Sequence, residues 1–158
     1  MNNRIVSLRD IVDAAITTFN TEETYLLHND LSERCICARF AMHLTNALKD
    51  TNYQDYIVDV EYNRGFDGNE RSPKRLYNAP ITVDLIVHKR GYDPDHGFNN
   101  LICIEMKKST NRDGCDKDIE RIKNMVGFDY GYCYQAGYMM LANMKTEQLE
   151  IVKQITQY

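Results

Sequence analysis

Two segments constrain this chain most: "ITVDLIVHKR" at residues 81–90 and "NLICIEMKK" at residues 100–108. Each opens as an apolar run of strand length, the pattern of a strand buried in a sheet. Each also carries charge where a core strand has no use for it. Asp84 is embedded in the first run, and Glu105, Lys107 and Lys108 close the second with no turn residue between. Strand side chains alternate between faces. Leu101, Cys103, Glu105 and Lys107 therefore share one face, and Thr82, Asp84, Ile86 and His88 share another. If the two strands pair as a hairpin, Asp84 can face Glu105 and Lys107. Alternation assigns faces but leaves that register open.

The other elements supply cover for such a sheet. Leu8, Ile11, Val12, Ala15, Ile16 and Phe19 recur at helical spacing, and Ser7 suits the N-cap. A second helix is expected over 31–49, with Asp30 as N-cap and Glu33 at the third position of a capping box. Its polar stripe is Ser32, Arg39, His43 and Asn46; Glu33 lies instead beside Cys37, Phe40 and Leu44. Further strands are expected at 56–63, 132–144 (its second half also compatible with helix) and 148–156, and a helix at 117–126. Residues 64–80 read as an irregular loop, and "GYDPDHGFNN" as a long hairpin-type connection. Helices before, between and among strands predict a single α/β domain over residues 1–158, with a central mixed β-sheet flanked by helices.

Composition narrows the function classes. No apolar run approaches the ~20 residues that span a bilayer, and "MNNRIVSLRD" lacks the apolar core of a secretory signal. Five cysteines with no C-x-x-C pair suggest reduced thiols packed as small hydrophobes, so a cytoplasmic address and no membrane partner are expected. The net charge of −4 argues against a broad nucleic-acid-binding surface but allows a local basic patch.

Two carboxylates held close repel, and a divalent cation relieves that conflict. A bound ion acidifies its water and offsets charge growing on phosphorus, while a neighbouring lysine can orient or deprotonate the attacking water. Such a set suits phosphodiester hydrolysis.

Asp84, a spacer of about 20 residues, and then Glu105-Met106-Lys107 resembles the PD-(D/E)xK nuclease superfamily, the restriction-endonuclease-like fold. The likeness spans the order helix, strand, Asp-bearing strand, E-x-K strand, helix, strand, from about Asp30 to Met144. Val83 stands where the motif's name has proline. The resemblance implies Mg²⁺ or Mn²⁺ held by Asp84 and Glu105, with the Met106 carbonyl and Glu33 as further ligands and Lys107 in the catalytic lysine role. It implies a nuclease acting on DNA, with a homodimer left open. The alternative is a catalytically inactive nuclease-like fold that binds nucleic acid or protein.

Bland readings stand beside these. Glu33 suits a capping box as well as a metal site. Glu61 suits an edge strand as well as the site. Arg64, Lys74 and Arg75, with Arg71, Lys89 and Arg90, form a cluster suited to phosphates or simply to solvent. Tyr130, Tyr132, Tyr134 and Tyr138 suit base stacking or a core.

Overall fold

The computed structural model describes residues 4–67, 70–91 and 99–157. Helix α1 (Leu8–Glu22) is capped by Ser7, whose hydroxyl accepts from the Asp10 N–H, and Asp10 reciprocates to the Ser7 N–H. A short α2 (Thr24–His28) follows. Helix α3 (Glu33–Leu48) then lies against α1. Its cap is Ser32, whose Oγ accepts from the Cys35 N–H at 3.2 Å. Asp30, the cap expected from sequence, instead pairs with Lys108 at 2.7 Å. Glu33 is thus the first helical residue rather than the third, and its carboxylate is not spent on a capping box.

The remaining elements are β1 (Ile57–Tyr62), β2 (Arg64–Asp67), β3 (Glu70–Pro73), β4 (Arg75–Leu76), β5 (Ala79–Pro80), β6 (Val83–His88), β7 (Asn100–Lys108), α4 (Cys115–Val126), β8 (Ala136–Asn143) and β9 (Gln148–Thr156). Five of the strands form one mixed sheet in the order β1-β6-β7-β8-β9. Only β7 and β8 run parallel, joined by α4 as the crossover helix; the other neighbours are antiparallel. The chain is of the α/β class the sequence predicts. The stretch read as an irregular loop holds two small hairpins, β2–β3 and β4–β5. The stretch 132–144 is strand only from Ala136 onward. The expected connection after β6 falls largely on residues 92–98, outside the described residues, but β6 and β7 do pair antiparallel.

Alternation divides the core into two layers. Leu85 and Val87 from β6, Ile102, Ile104 and Met106 from β7, and Tyr138 and Met140 from β8 pack on α1 and α3. Ile86, Cys103 and Met139 pack on α4 through Ile122, Met125 and Val126. Contact with α4 is close at Gly137, where an added Cβ would stand 2.2 Å from Ile122 Cγ2. The five cysteines are free, as their spacing predicts. Among the described residues no helix is long and apolar enough to cross a membrane.

Candidate active site

The register of the sheet decides which charged residues meet. Strands β6 and β7 pair with Leu85 opposite Ile104 and Ile86 opposite Cys103. One step further sets Asp84 across from Glu105. Strands β1 and β6 pair from Ile57 opposite His88 to Tyr62 opposite Val83. That register sets Glu61 across from Asp84, although Glu61 leaves the ladder with a φ of 51°. Three acids from three adjacent strands thus fall in one row near the sheet end where β7 finishes.

Two helix starts converge on the same end. Glu33 opens α3, and Asp118 lies in the first turn of α4. The positive end of a helix dipole favours a carboxylate at such positions. Lys107 Nζ lies 3.1 Å from Asp118 Oδ2 and 4.0 Å from Glu33 Oε1. Arg121, one turn beyond Asp118, pairs with Glu105 and reaches Asp118 Oδ1 at 3.2 Å. The Asp118 carboxylate is buried, and the Lys107 ammonium is the charge that meets its Oδ2. Asp84 Oδ2 accepts the Met106 N–H at 2.8 Å. Met106 thus presents its N–H to the Asp84 carboxylate, and its sulfur is buried against Cys37 Sγ at 3.6 Å. Glu33, Glu61, Asp84 and Cys37 line a cavity of about 410 Å³ beside the cluster, and Arg34 on its wall pairs with Glu61 at 2.9 Å.

These contacts perturb the acids. Burial, seconded by the Asp84 charge, pushes the Glu105 carboxyl well above its ordinary range, and Arg121 only partly opposes it. Burial also raises Glu33, against the pull of Lys107. Lys107 is held above its ordinary value; burial works against this, and its contact with Asp118 and the charges of Asp118, Glu33 and Asp84 outweigh it. An ammonium held in that state orients and stabilises negative charge, and does not serve as a base until an acid partner moves away.

No family model, curated protein or solved structure matches this chain. Its chemistry rests on the cluster itself.

A divalent cation fits the cluster in charge. Once ionised, the four carboxyls Glu33, Asp84, Glu105 and Asp118 outnumber the two cations Lys107 and Arg121, and a bound cation would favour that ionised state. Among the described residues no three acids, histidines or cysteines stand ready at metal-binding separations. The contacts give a reason: the Arg121 guanidinium covers Glu105, and the Met106 N–H engages Asp84.

The sequence-derived residues divide accordingly. The fold brings Asp84, Glu105, Lys107 and Glu33 together, sets Glu61 on the wall of the adjoining cavity, and adds Asp118 and Arg121. Asp118 and Arg121 are three apart on α4, and that helical spacing was the available signal. The basic cluster disperses. Arg64 is exposed beside Asn63 Oδ1, and Arg75 is exposed with its guanidinium on the Asn78 carbonyl. Lys74 is only 3% exposed and donates to the Tyr134 hydroxyl at 2.6 Å. An ammonium buried that way does not meet a phosphate at the surface, so the expected phosphate role of Lys74 is withdrawn. Arg90 is engaged by Asp59 at 2.5 Å.

Proposed function

We propose that this chain is a metal-dependent nuclease of the PD-(D/E)xK type acting on DNA. The observation that carries the reading is the β6–β7 register, which sets Asp84 beside Glu105 with Lys107 two residues further along the same strand. Asp84 and Glu105 would hold Mg²⁺ or Mn²⁺, with Glu33 and Asp118 able to contribute through their carboxylates. When bound, such an ion acidifies a coordinated water and offsets charge on the phosphoryl oxygens. Lys107 orients that water and stabilises the negative charge that develops beside it. The helix starts of α3 and α4 hold Glu33 and Asp118 around the lysine and fix its position.

The test is cleavage of plasmid and linear duplex DNA by the purified chain with Mg²⁺ or Mn²⁺. Cutting by the natural sequence, with loss in Asp84→Asn, supports the reading. Absence of cutting with both metals on every DNA form ends it.

One observation favours a second reading. Arg121 is paired with Glu105 and Lys107 with Asp118, so these side chains already have partners without a metal. A fold that kept the nuclease framework and binds nucleic acid or protein without turnover would look like this. It predicts binding that survives Asp84→Asn and needs no divalent cation.

A further inference from the structure

We propose that the pocket between α4 and the β4–β5 hairpin receives one unpaired nucleobase of the substrate, stacked on Tyr77, with Lys117 meeting the adjoining phosphate. This deepens the nuclease reading and rests on it. The pocket encloses about 320 Å³, within the range of small-ligand sites. Leu76, Ala79 and Ile81 give it an apolar lining, while Asn124 and Lys117 stand on the α4 side.

Tyr77 is the feature that selects the occupant. Tyr77 is 70% exposed, yet its side chain is held in place. The hydroxyl accepts from Asn124 Nδ2 at 3.1 Å, and the Tyr130 ring meets it edge-on at a centroid distance of 5.4 Å. Tyr77 and Asn78 form the two-residue turn between β4 and β5, with φ of 50° and 63°. Such a turn favours asparagine or glycine at both positions, and a bulky side chain with positive φ is strained. A tyrosine kept at a costly backbone position, anchored but uncovered, is suited to stacking. Every base offers a π-face, so the ring accepts any of them. A base inside a duplex already has both faces covered, so only an unpaired or extruded one can enter.

Charge then favours a nucleotide over an apolar peptide. Lys117 is exposed at the rim. Glu120, also at the rim, is paired with Lys123 at 3.1 Å and opposes an incoming phosphate less than a free carboxylate would. Arg121 lines the same pocket while its guanidinium reaches Glu105 and Asp118, so a single side chain separates the pocket from the candidate catalytic acids.

The test is fluorescence anisotropy in EDTA, where cutting is suppressed, using labelled oligo-dT and a duplex of equal length. The single strand should bind more tightly than the duplex. Tyr77→Asn should weaken single-strand binding about 10-fold and leave duplex binding unchanged. Asparagine suits the turn, so that variant should melt no lower than the natural sequence, which separates lost binding from lost folding. Lys117→Ala should lower the salt slope of single-strand binding by about one ion. Equal affinity of Tyr77→Asn and the natural sequence for oligo-dT overturns the proposal, as does an equal loss on both DNA forms. Duplex cleavage without single-strand preference removes the pocket and leaves the nuclease reading standing. Tyr77-dependent single-strand binding without cleavage does the reverse.

Discussion

Lys74 is a lysine whose ammonium meets tyrosines instead of water. It donates to Tyr134 and lies 5.1–5.8 Å from the ring centroids of Tyr62, Tyr132 and Tyr134. Burial pulls its pKa down to about 8 from the ordinary 10.5. Between those two pH values the unfolded chain holds a proton that the folded chain has released, so stability rises with pH across the window. Lys74→Met should remove that rise. Measured by urea unfolding at pH 7 and pH 10.5, the variant should lose about 3 kcal/mol of its relative standing over the window. Glu105 behaves in the opposite sense. Its folded carboxyl keeps a proton above pH 4.5 that the unfolded chain has lost, so its contribution falls as pH rises from there toward the raised folded value. Glu105→Gln should therefore gain on the natural sequence as pH is raised from 4 to 8, and a pH series of thermal melts checks the direction. The Lys74 shift was not legible from sequence, because a loop lysine reads as solvated until distant tyrosines are brought against it. The repulsion between Asp84 and Glu105 was legible, but the burial that leads the Glu105 shift was not.

At the scale of elements, the legible parts were those with a long, regular pattern. The sequence bounds of β7 and β9 coincide with the observed strands, β7 marked by the apolar run Leu101–Ile104 and β9 by Leu149 and Ile151 alternating with polar neighbours. Helix α2 has five residues and too few positions to show a period. The β4 and β5 strands have two residues each and read as loop. The cap of α3 moved from Asp30 to Ser32 because both residue types cap well, and Lys108 competes for Asp30. The register of β6 against β7 was not legible at all, since alternation is satisfied by any shift of two. Close packing between elements is equally non-local. Gly137 lets β8 pass under Ile122 and Val126 of α4, the helix that carries Asp118 and Arg121. Gly137→Ala should cost about 1–3 kcal/mol by overpacking, read as a lowered denaturation midpoint. By displacing α4 it should also weaken whatever activity depends on Asp118. A similar brace ties α1–α2 to α3, where the buried Glu23 meets Arg39 at 2.5 Å and His43 at 3.0 Å. Burial pushes the Glu23 carboxyl up, but the bonds from Arg39 and His43 outweigh it and hold it below the ordinary range. Glu23→Ala should destabilise by about 1.5–3 kcal/mol, the worth of hydrogen bonds to a charged group, again by urea midpoint.

For the whole molecule, the sheet order and the two convergent helix starts bring acids distant in sequence to one end of the fold. Glu33, Asp84, Glu105 and Asp118 surround Lys107 and Arg121 there, although among the described residues no three acids, histidines or cysteines stand at metal-binding separations. The sequence pointed to Asp84, Glu105 and Lys107 through their placement in apolar strands, and to Glu33 through its apolar flank. It did not reveal Arg121 as the cation standing on Glu105. That contact is what metal binding has to displace, so the central claim is tested most directly by calorimetric titration of Mg²⁺ and Mn²⁺ into the purified chain. One saturable divalent-cation site is expected, lost in Asp84→Asn and strengthened in Arg121→Ala. No binding heat with either metal, or a site of unchanged affinity in Asp84→Asn, would contradict it.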